Sequence, residues 1–222
     1  MMGMPYGSTE MIQFTDKVMK HITVECYDTS SDLAVEKGAF PLYDKDLYAM
    51  SRFIRSLPTD LQDKINKTGV RNSHLTSIAP TGTISLCADN ISAGLEPPYA
   101  LEAQRTIQTF DGPKIVDVQD YAFSKGIRGV VADQLSAAAH VAVLAAAQRW
   151  VDSACSKTCN VGSDVTFPEF KDLYLSAWKA GCKGLTTFRA NGKRMGIIVA
   201  KEEEPAAVAC FINPDNGQAE CS

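Results

Sequence analysis

The stretch Arg71-Asn72-Ser73-His74-Leu75-Thr76-Ser77-Ile78-Ala79-Pro80-Thr81-Gly82-Thr83-Ile84-Ser85 carries the reading of the fold. Short apolar pieces mix with small hydroxyl residues, and Pro80-Thr81-Gly82-Thr83 punctuates them. A strand, a tight loop and then a second strand or a helix fits this pattern. Upstream, residues 8–37 place Met11, Phe14, Val18, Ile22 and Tyr27 at near-helical spacing without a proline, and Gly38-Ala39-Phe40-Pro41 ends the run. Asp46–Ser56 and Thr59–Lys67 read as two further helices, the second closed near Gly69. Downstream, Leu101–Phe110 reads as a strand before an Asp111-Gly112-Pro113 turn. Leu135 to about Ala154 is alanine-rich and reads as a helix. Thr158–Val161 reads as extended. Thr166–Ala180 reads as an amphipathic helix, with Phe167, Phe170, Leu173, Tyr174, Ala177 and Trp178 on one face and Thr166…Glu169 at capping-box spacing. Leu185–Phe188 and Ile197–Val199 read as short strands. This is an α/β pattern with few strands for its helices. Residues 1–200 read as one domain. Beyond Lys201 the chain turns polar through Glu202-Glu203-Glu204-Pro205, and residues 201–222 are expected to form a mobile tail.

Composition narrows the function. Of 222 residues, 45% are hydrophobic and 22% charged, which is globular. Lys and Arg number 22 against 26 Asp and Glu, a net charge of −4, so no basic field favours nucleic acid or an anionic membrane. The apolar run Ala137–Ala147, broken by His140, falls short of the about 20 residues a span needs. Met1–Lys17 lacks the pattern of a secretory signal. Seven cysteines, an odd number without C-x-x-C spacing, fit a reducing, cytoplasmic setting. Cys155 and Cys159 would share a face on a helix, but no second ligand pair follows, and His21, His74 and His140 are scattered. No metal site is expected.

Four segments are candidates for chemistry. Ala79–Ser85 sets three hydroxyls and a glycine behind a proline. It reads as an anion cradle of backbone N–H groups, strengthened if a helix starts there, or as a plain exposed turn. It has no lysine and is not a nucleotide-triphosphate P-loop. Asn90–Pro98 places Glu96 among small residues, either to orient a substrate hydroxyl or as a structural loop in which Gly94 takes an unusual backbone angle. Asp152–Asn160 contains Lys157, Cys155 and Cys159. The lysine meets an anion or complements a helix end, and the thiols are reactive or simply buried. Cys210 and Cys221 either form a shuttling dithiol or are incidental.

In order along the chain, Lys37-Gly38-Ala39-Phe40-Pro41, Arg71–Leu75 leading into Ala79–Ser85, Asn90–Pro98, Asp152–Asn160, Ala177–Gly181 and Lys183–Arg189 resemble one family. It is the C-terminal part of the catalytic chain of ribonucleotide reductase, closest to the adenosylcobalamin-dependent branch. The resemblance covers roughly residues 5–195. It implies the later strands and helices of a ten-stranded α/β barrel, incomplete in this chain alone. It implies that Thr81, Gly82, Thr83, Ile84 and Ser85 bind the phosphates of a ribonucleotide substrate, beside Asn90–Pro98.

Two departures from the family shape the expected role. The finger loop that bears the radical cysteine has no counterpart in this sequence. The resemblance therefore assigns no catalytic residue here and implies a split enzyme, completed by a companion N-terminal reductase chain. Thr186 and Thr187 stand where the oxygen-dependent branch has adjacent relay tyrosines. That favours adenosylcobalamin, held by the assembled enzyme, as the radical source. Cys210 and Cys221 would accept electrons from a thioredoxin-like reductant, although their spacing is wide for the family. A non-catalytic chain docking to a complete reductase is the other reading.

Overall fold

The computed structural model describes residues 2–91, 93–162, 165–189, 198–200, 210–212 and 219–221. Helix α1 (Thr9–Lys37) starts where Ser8 Oγ accepts the Met11 N–H at 3.2 Å, and stops at Gly38, whose φ is +80°. Its buried face is Thr23, Tyr27, Ser30, Ser31 and Ala34. Of the stripe expected from hydrophobicity only Tyr27 lies there; Phe14 and Ile22 are exposed. The reason is hydrogen bonding. Thr23 donates to the Trp150 carbonyl and Ser31 to the Gly69 carbonyl, so hydroxyls rather than methyls face the neighbouring chain.

The expected helix over Asp46–Ser56 is instead α2 (Lys45–Ala49) and a 3-10 turn at Ile54–Ser56. The break lets Ile54 and Leu57 join Tyr27, Leu61, Ile65 and Val70 in one core, with Phe40, Tyr43, Tyr48 and Phe53 packed around it. Helix α3 (Thr59–Thr68) supplies Leu61 and Ile65.

Next come α4 (Gly82–Cys87), then β1 (Glu102–Thr109) and β2 (Gly112–Gln119), a hairpin that turns at Phe110-Asp111, so Gly112 and Pro113 of the expected turn belong to β2 instead. Helix α5 (Tyr121–Ser124) is one turn, capped by Asp120. Helix α6 (Ala137–Gln148) is capped by Ser136 and ends six residues before the expected Ala154. Residues past Val151 run extended instead, into β3 (Thr158–Asn160). Helix α7 (Phe167–Lys179) has the expected capping box, Thr166 N–H to Glu169 Oε2 at 2.8 Å. Of its apolar face only Leu173 and Ala177 are buried, while Phe167 and Trp178 are exposed. Strands β4 (Thr186–Phe188) and β5 (Ile198–Ala200) follow.

Parallel pairing builds the wall that positions the site. Ile78 N–H donates to the Ala154 carbonyl at 3.1 Å and Ser156 N–H to the Ile78 carbonyl at 2.8 Å. On the other side β3 pairs in parallel with β4, Cys159 opposite Thr187. Residues 76–78, 152–160 and 186–188 are thus three adjacent segments, with α6 and α7 packed on β3 and its neighbours. A separate antiparallel sheet has the order β2-β1-β5. The described residues form part of a wall and do not close a barrel. Within the expected tail, β6 (Cys210–Ile212) and β7 (Ala219–Cys221) pair antiparallel, Cys210 opposite Cys221. The rest of 201–222 lies outside the described residues, and so does the mobility expected of it.

Candidate functional site

The loop Ala79–Ser85 leaves the end of the 76–78 segment and becomes the first turn of α4; the helix after the loop matches one of the two shapes left open by sequence, while the strand expected before it is only an isolated parallel bridge, Ile78 to Cys155. Thr81 is the N-cap and sits at φ +48°, ψ +16°. A left-handed backbone is costly for a β-branched residue. Its side chain makes no capping bond. The N–H groups of the first turn, Gly82, Thr83 and Ile84, have no acceptor within the helix by construction. Ser85 is buried, its N–H bonded to the Thr81 carbonyl at 2.8 Å and its Oγ donating to the Gly82 carbonyl at 2.9 Å. Ile84 is exposed. A Cβ built on Gly82 meets nothing within 4 Å, so a side chain there would stand in the open space before the helix start.

The Asn90–Pro98 loop packs on this one. Gly94, at φ +66°, lies so close that a Cβ would come within 2.5 Å of the Ala79 carbonyl oxygen. The glycine is required, as the structural reading of this loop expected. Glu96 has a firm place: its carboxylate accepts from Lys157 Nζ at 2.7 Å and from the Thr158 N–H at 2.5 Å.

Lys157 is therefore not at a helix end. It stands on the extended 152–160 segment with its side chain fully buried. Its ammonium has three acceptors, one for each proton: Glu96 Oε2, the Thr158 carbonyl at 2.6 Å and His140 Nδ1 at 2.9 Å. Burial pushes its pKa below the ordinary lysine range, and the Glu96 carboxylate opposes that shift. His140, wholly buried on α6, accepts at Nδ1, so Nε2 carries the proton and donates to the Ala132 carbonyl at 3.2 Å. Burial, then the Lys157 charge, lowers its pKa and keeps it neutral. The Tyr6 hydroxyl donates to the Leu95 carbonyl at 2.5 Å, and its ring lies 5.9 Å from Lys157 Nζ. Burial followed by the Glu96 charge raises the Tyr6 pKa, so this phenol keeps its proton.

Five residues earlier on the same segment, Asp152 anchors the other end. It accepts from Leu75 N–H at 2.6 Å, Thr76 N–H at 3.0 Å and the Tyr27 hydroxyl at 2.8 Å. Burial pushes its carboxyl upward, but those hydrogen bonds outweigh it and hold the group below the usual carboxylate range. Cys155 and Cys159 are buried, each pushed up to about 11 by burial, and have the character of packed, inert thiols. Among the described residues no three His, Cys, Asp or Glu side chains gather as a metal site, and no helix is long and apolar enough to cross a membrane. Two surface clefts, of about 310 and 390 Å³, are of a size that suits small ligands.

Sequence reasoning singled out Glu96, Lys157 and His140 one at a time and did not join them. A lysine between two buried cysteines and a histidine inside an alanine run were the available signals. Nothing marked Tyr6.

A short parallel wall backed by α6 and α7 leads into a hydroxyl-rich loop at a helix start, the layout of part of an α/β barrel. Residues 1–128 and 130–188 match the ribonucleotide reductase barrel domain. The chain belongs to that family. It is 32% identical over 230 residues to a vitamin B12-dependent ribonucleoside-diphosphate reductase of Mycobacterium tuberculosis strain H37Rv, covering 90% of this chain and 30% of the relative. The enzyme of the same name from Thermoplasma acidophilum is 29% identical, with 90% and 28% covered. The ribonucleoside-diphosphate reductase subunit alpha of Mycoplasma pneumoniae is 26% identical, with 81% and 29% covered. The chain spans about a third of the length of the curated relatives it matches.

Proposed function

We propose that this chain supplies part of the barrel wall and the substrate-phosphate loop of a vitamin B12-dependent ribonucleotide reductase. The observation that carries the reading is the Ala79–Ser85 loop, with Thr81 held left-handed and the N–H groups of Gly82, Thr83 and Ile84 free of intrahelical acceptors. The family membership and the names of the relatives support it. In this reading Thr81 and Thr83 contribute hydroxyl or backbone donors, Gly82 permits close approach, and Ile84 contributes its N–H; Ser85, expected from sequence to donate as well, has both its N–H and its hydroxyl bonded within the turn and instead holds the loop's shape. Anchoring a remote phosphate positions the ribose for reaction, a proximity effect.

The radical chemistry belongs to adenosylcobalamin, which supplies the initiating radical when bound. The names of the relatives support the cofactor, which we assign to the assembled enzyme. We place the radical cysteine and its finger loop on a companion chain, which makes this polypeptide one subunit of a split enzyme. Thr186 and Thr187 on β4 support a local radical source, because a threonine hydroxyl is no relay.

Cys210 and Cys221 are proposed as the dithiol that re-reduces the site. Opposed residues of an antiparallel ladder have Cα atoms about 4.5–5.5 Å apart, within disulfide range, so the hairpin offsets their wide sequence spacing. Changing both to Ser is expected to abolish turnover with a protein reductant and spare turnover with a small dithiol. Equal rates with both reductants would remove the tail from the cycle.

The test of the whole reading is ribonucleotide reduction with adenosylcobalamin, using this chain, the companion, and the two mixed. Activity in the mixture alone is expected. Full activity from the companion alone would leave this chain a non-catalytic, docking role. Gly82→Val then tests the loop: a Cβ at this position meets nothing within 4 Å, so the fold is expected to survive while nucleotide affinity falls. Unchanged affinity would refute the loop assignment.

A further inference from the structure

We infer that the buried Lys157–Glu96 pair is a positioning device that sets the Ala79–Ser85 loop, through the Gly94–Glu96 segment packed against Ala79. Its functional meaning rests on the phosphate-loop reading above. Each of three consecutive residues is fixed by a different partner. Gly94 lies against the Ala79 carbonyl, Leu95 has its carbonyl held by the Tyr6 hydroxyl, and Glu96 is gripped by Lys157 and the Thr158 N–H. Lys157 is itself immobilised, since all three of its donors are engaged.

The loop needs such outside support. Helix α4 has six residues and no side-chain cap, and a helix that short does not hold itself. From outside its own turn, the Gly82 carbonyl accepts from Arg105 Nη1 at 3.2 Å. The rigid neighbour on the other side is the Gly94–Glu96 segment. Lys157 is buried beneath that segment and does not face the open space before the helix start, so it is a positioning residue and not a catalytic one.

Amide hydrogen exchange by NMR on the full chain tests this. The reporters are Ser85, Ala88 and Asn90, whose N–H groups are bonded within the loop. In Glu96→Gln, which keeps the shape but removes the charge, these three are expected to gain about tenfold in exchange rate over and above any change at Ile65 in α3. Unchanged exchange at the three reporters in a folded variant overturns the inference, as does an equal acceleration everywhere, the mark of a merely structural pair. Lys157→Met should act more strongly on the same reporters. Tyr6→Phe removes one hydrogen bond without touching a charge and should act more weakly on them, which decides the matter if Lys157→Met does not fold. Titrating inorganic pyrophosphate into the wild-type chain separates the two readings. Shifts at Gly82–Ser85 support the phosphate loop. Their absence overturns that assignment, while the exchange result still decides the positioning role.

Discussion

Asp152 and Lys157 sit five residues apart on one extended segment and do the same job by opposite physics. Each ties a loop to the wall. Asp152 is half-buried and is satisfied by neutral donors, two of them backbone N–H groups of Leu75 and Thr76. Lys157 is fully buried and is satisfied by a full counter-charge, Glu96. A half-buried carboxylate with several neutral donors can lose one and still lean on water. A buried ion pair that loses one partner leaves an unpaired charge in a low dielectric, which is the costlier fault. The chain has placed the fragile arrangement beneath the proposed phosphate loop and the tolerant one at the other end.

The largest effect should follow from breaking the ion pair. Lys157→Met is expected to destabilise the chain by about 3–5 kcal/mol, read as a shift of the denaturation midpoint. Adding Glu96→Gln should recover most of that loss, since no buried charge is left and the amide oxygen still accepts the Thr158 N–H. If the double variant is no better than the single one, burial of charge is not what separates the two ends.

Asp152→Asn should cost less, about 2 kcal/mol, because donors approach both carboxylate oxygens and an amide can accept at only one. Tyr27→Phe should cost about 1 kcal/mol, since the ring stays packed against Phe53 and Asp152 keeps its backbone donors.

The smallest effect is a difference in acid sensitivity. His140 has a folded pKa below its ordinary 6.5, so the unfolded chain takes up a proton that the folded one refuses. Its contribution is complete above pH 6.5 and is lost as pH falls through the folded value. Asp152 has a folded pKa below its ordinary 3.8, so its contribution is complete above pH 3.8 and fades only as pH falls through the lower folded value. Stability measured against pH should therefore begin to decline below pH 6.5 through His140, with the Asp152 contribution starting to fade only below pH 3.8. His140→Asn should remove the decline that begins at pH 6.5 and leave the one that begins at pH 3.8, and an unchanged onset in the variant would erase the contrast.

Much of the architecture could be read from the residues. Ser8, Gly38, Ser136 and the Thr166…Glu169 box punctuate helices through local chemistry, and local chemistry is visible in a sequence. The ends that were misjudged are those set by distant partners. The alanine-rich helix stops at Gln148 although alanine would continue it, because the residues beyond are drawn into the wall by Ile78 and Asp152. The buried face of α1 departs from the apolar stripe because Thr23, Ser30 and Ser31 are held there by hydroxyl hydrogen bonds, which hydrophobic spacing does not register. For the site, the Ala79–Ser85 loop could be picked out because its residues are contiguous. The Lys157 cluster could not, because Tyr6, Glu96, His140 and Lys157 are brought together only by the folded wall. The aromatic residues of α7 fall on a helical stripe, yet Phe167 and Trp178 are exposed, so amphipathic spacing overstated their burial.

The cluster also orders events during synthesis. Its members lie at positions 6, 96, 140 and 157, so it cannot close until the last of them has left the ribosome. The apolar contacts of the α1 to α3 core reach no further than residue 75 and can condense early, with only the Tyr27 hydroxyl left waiting for Asp152. A nascent chain synthesised only as far as residue 150 would hold every atom of the proposed phosphate loop and none of the lysine that secures it. The emergence of Lys157 would then separate a chain that merely contains its binding loop from one that presents it.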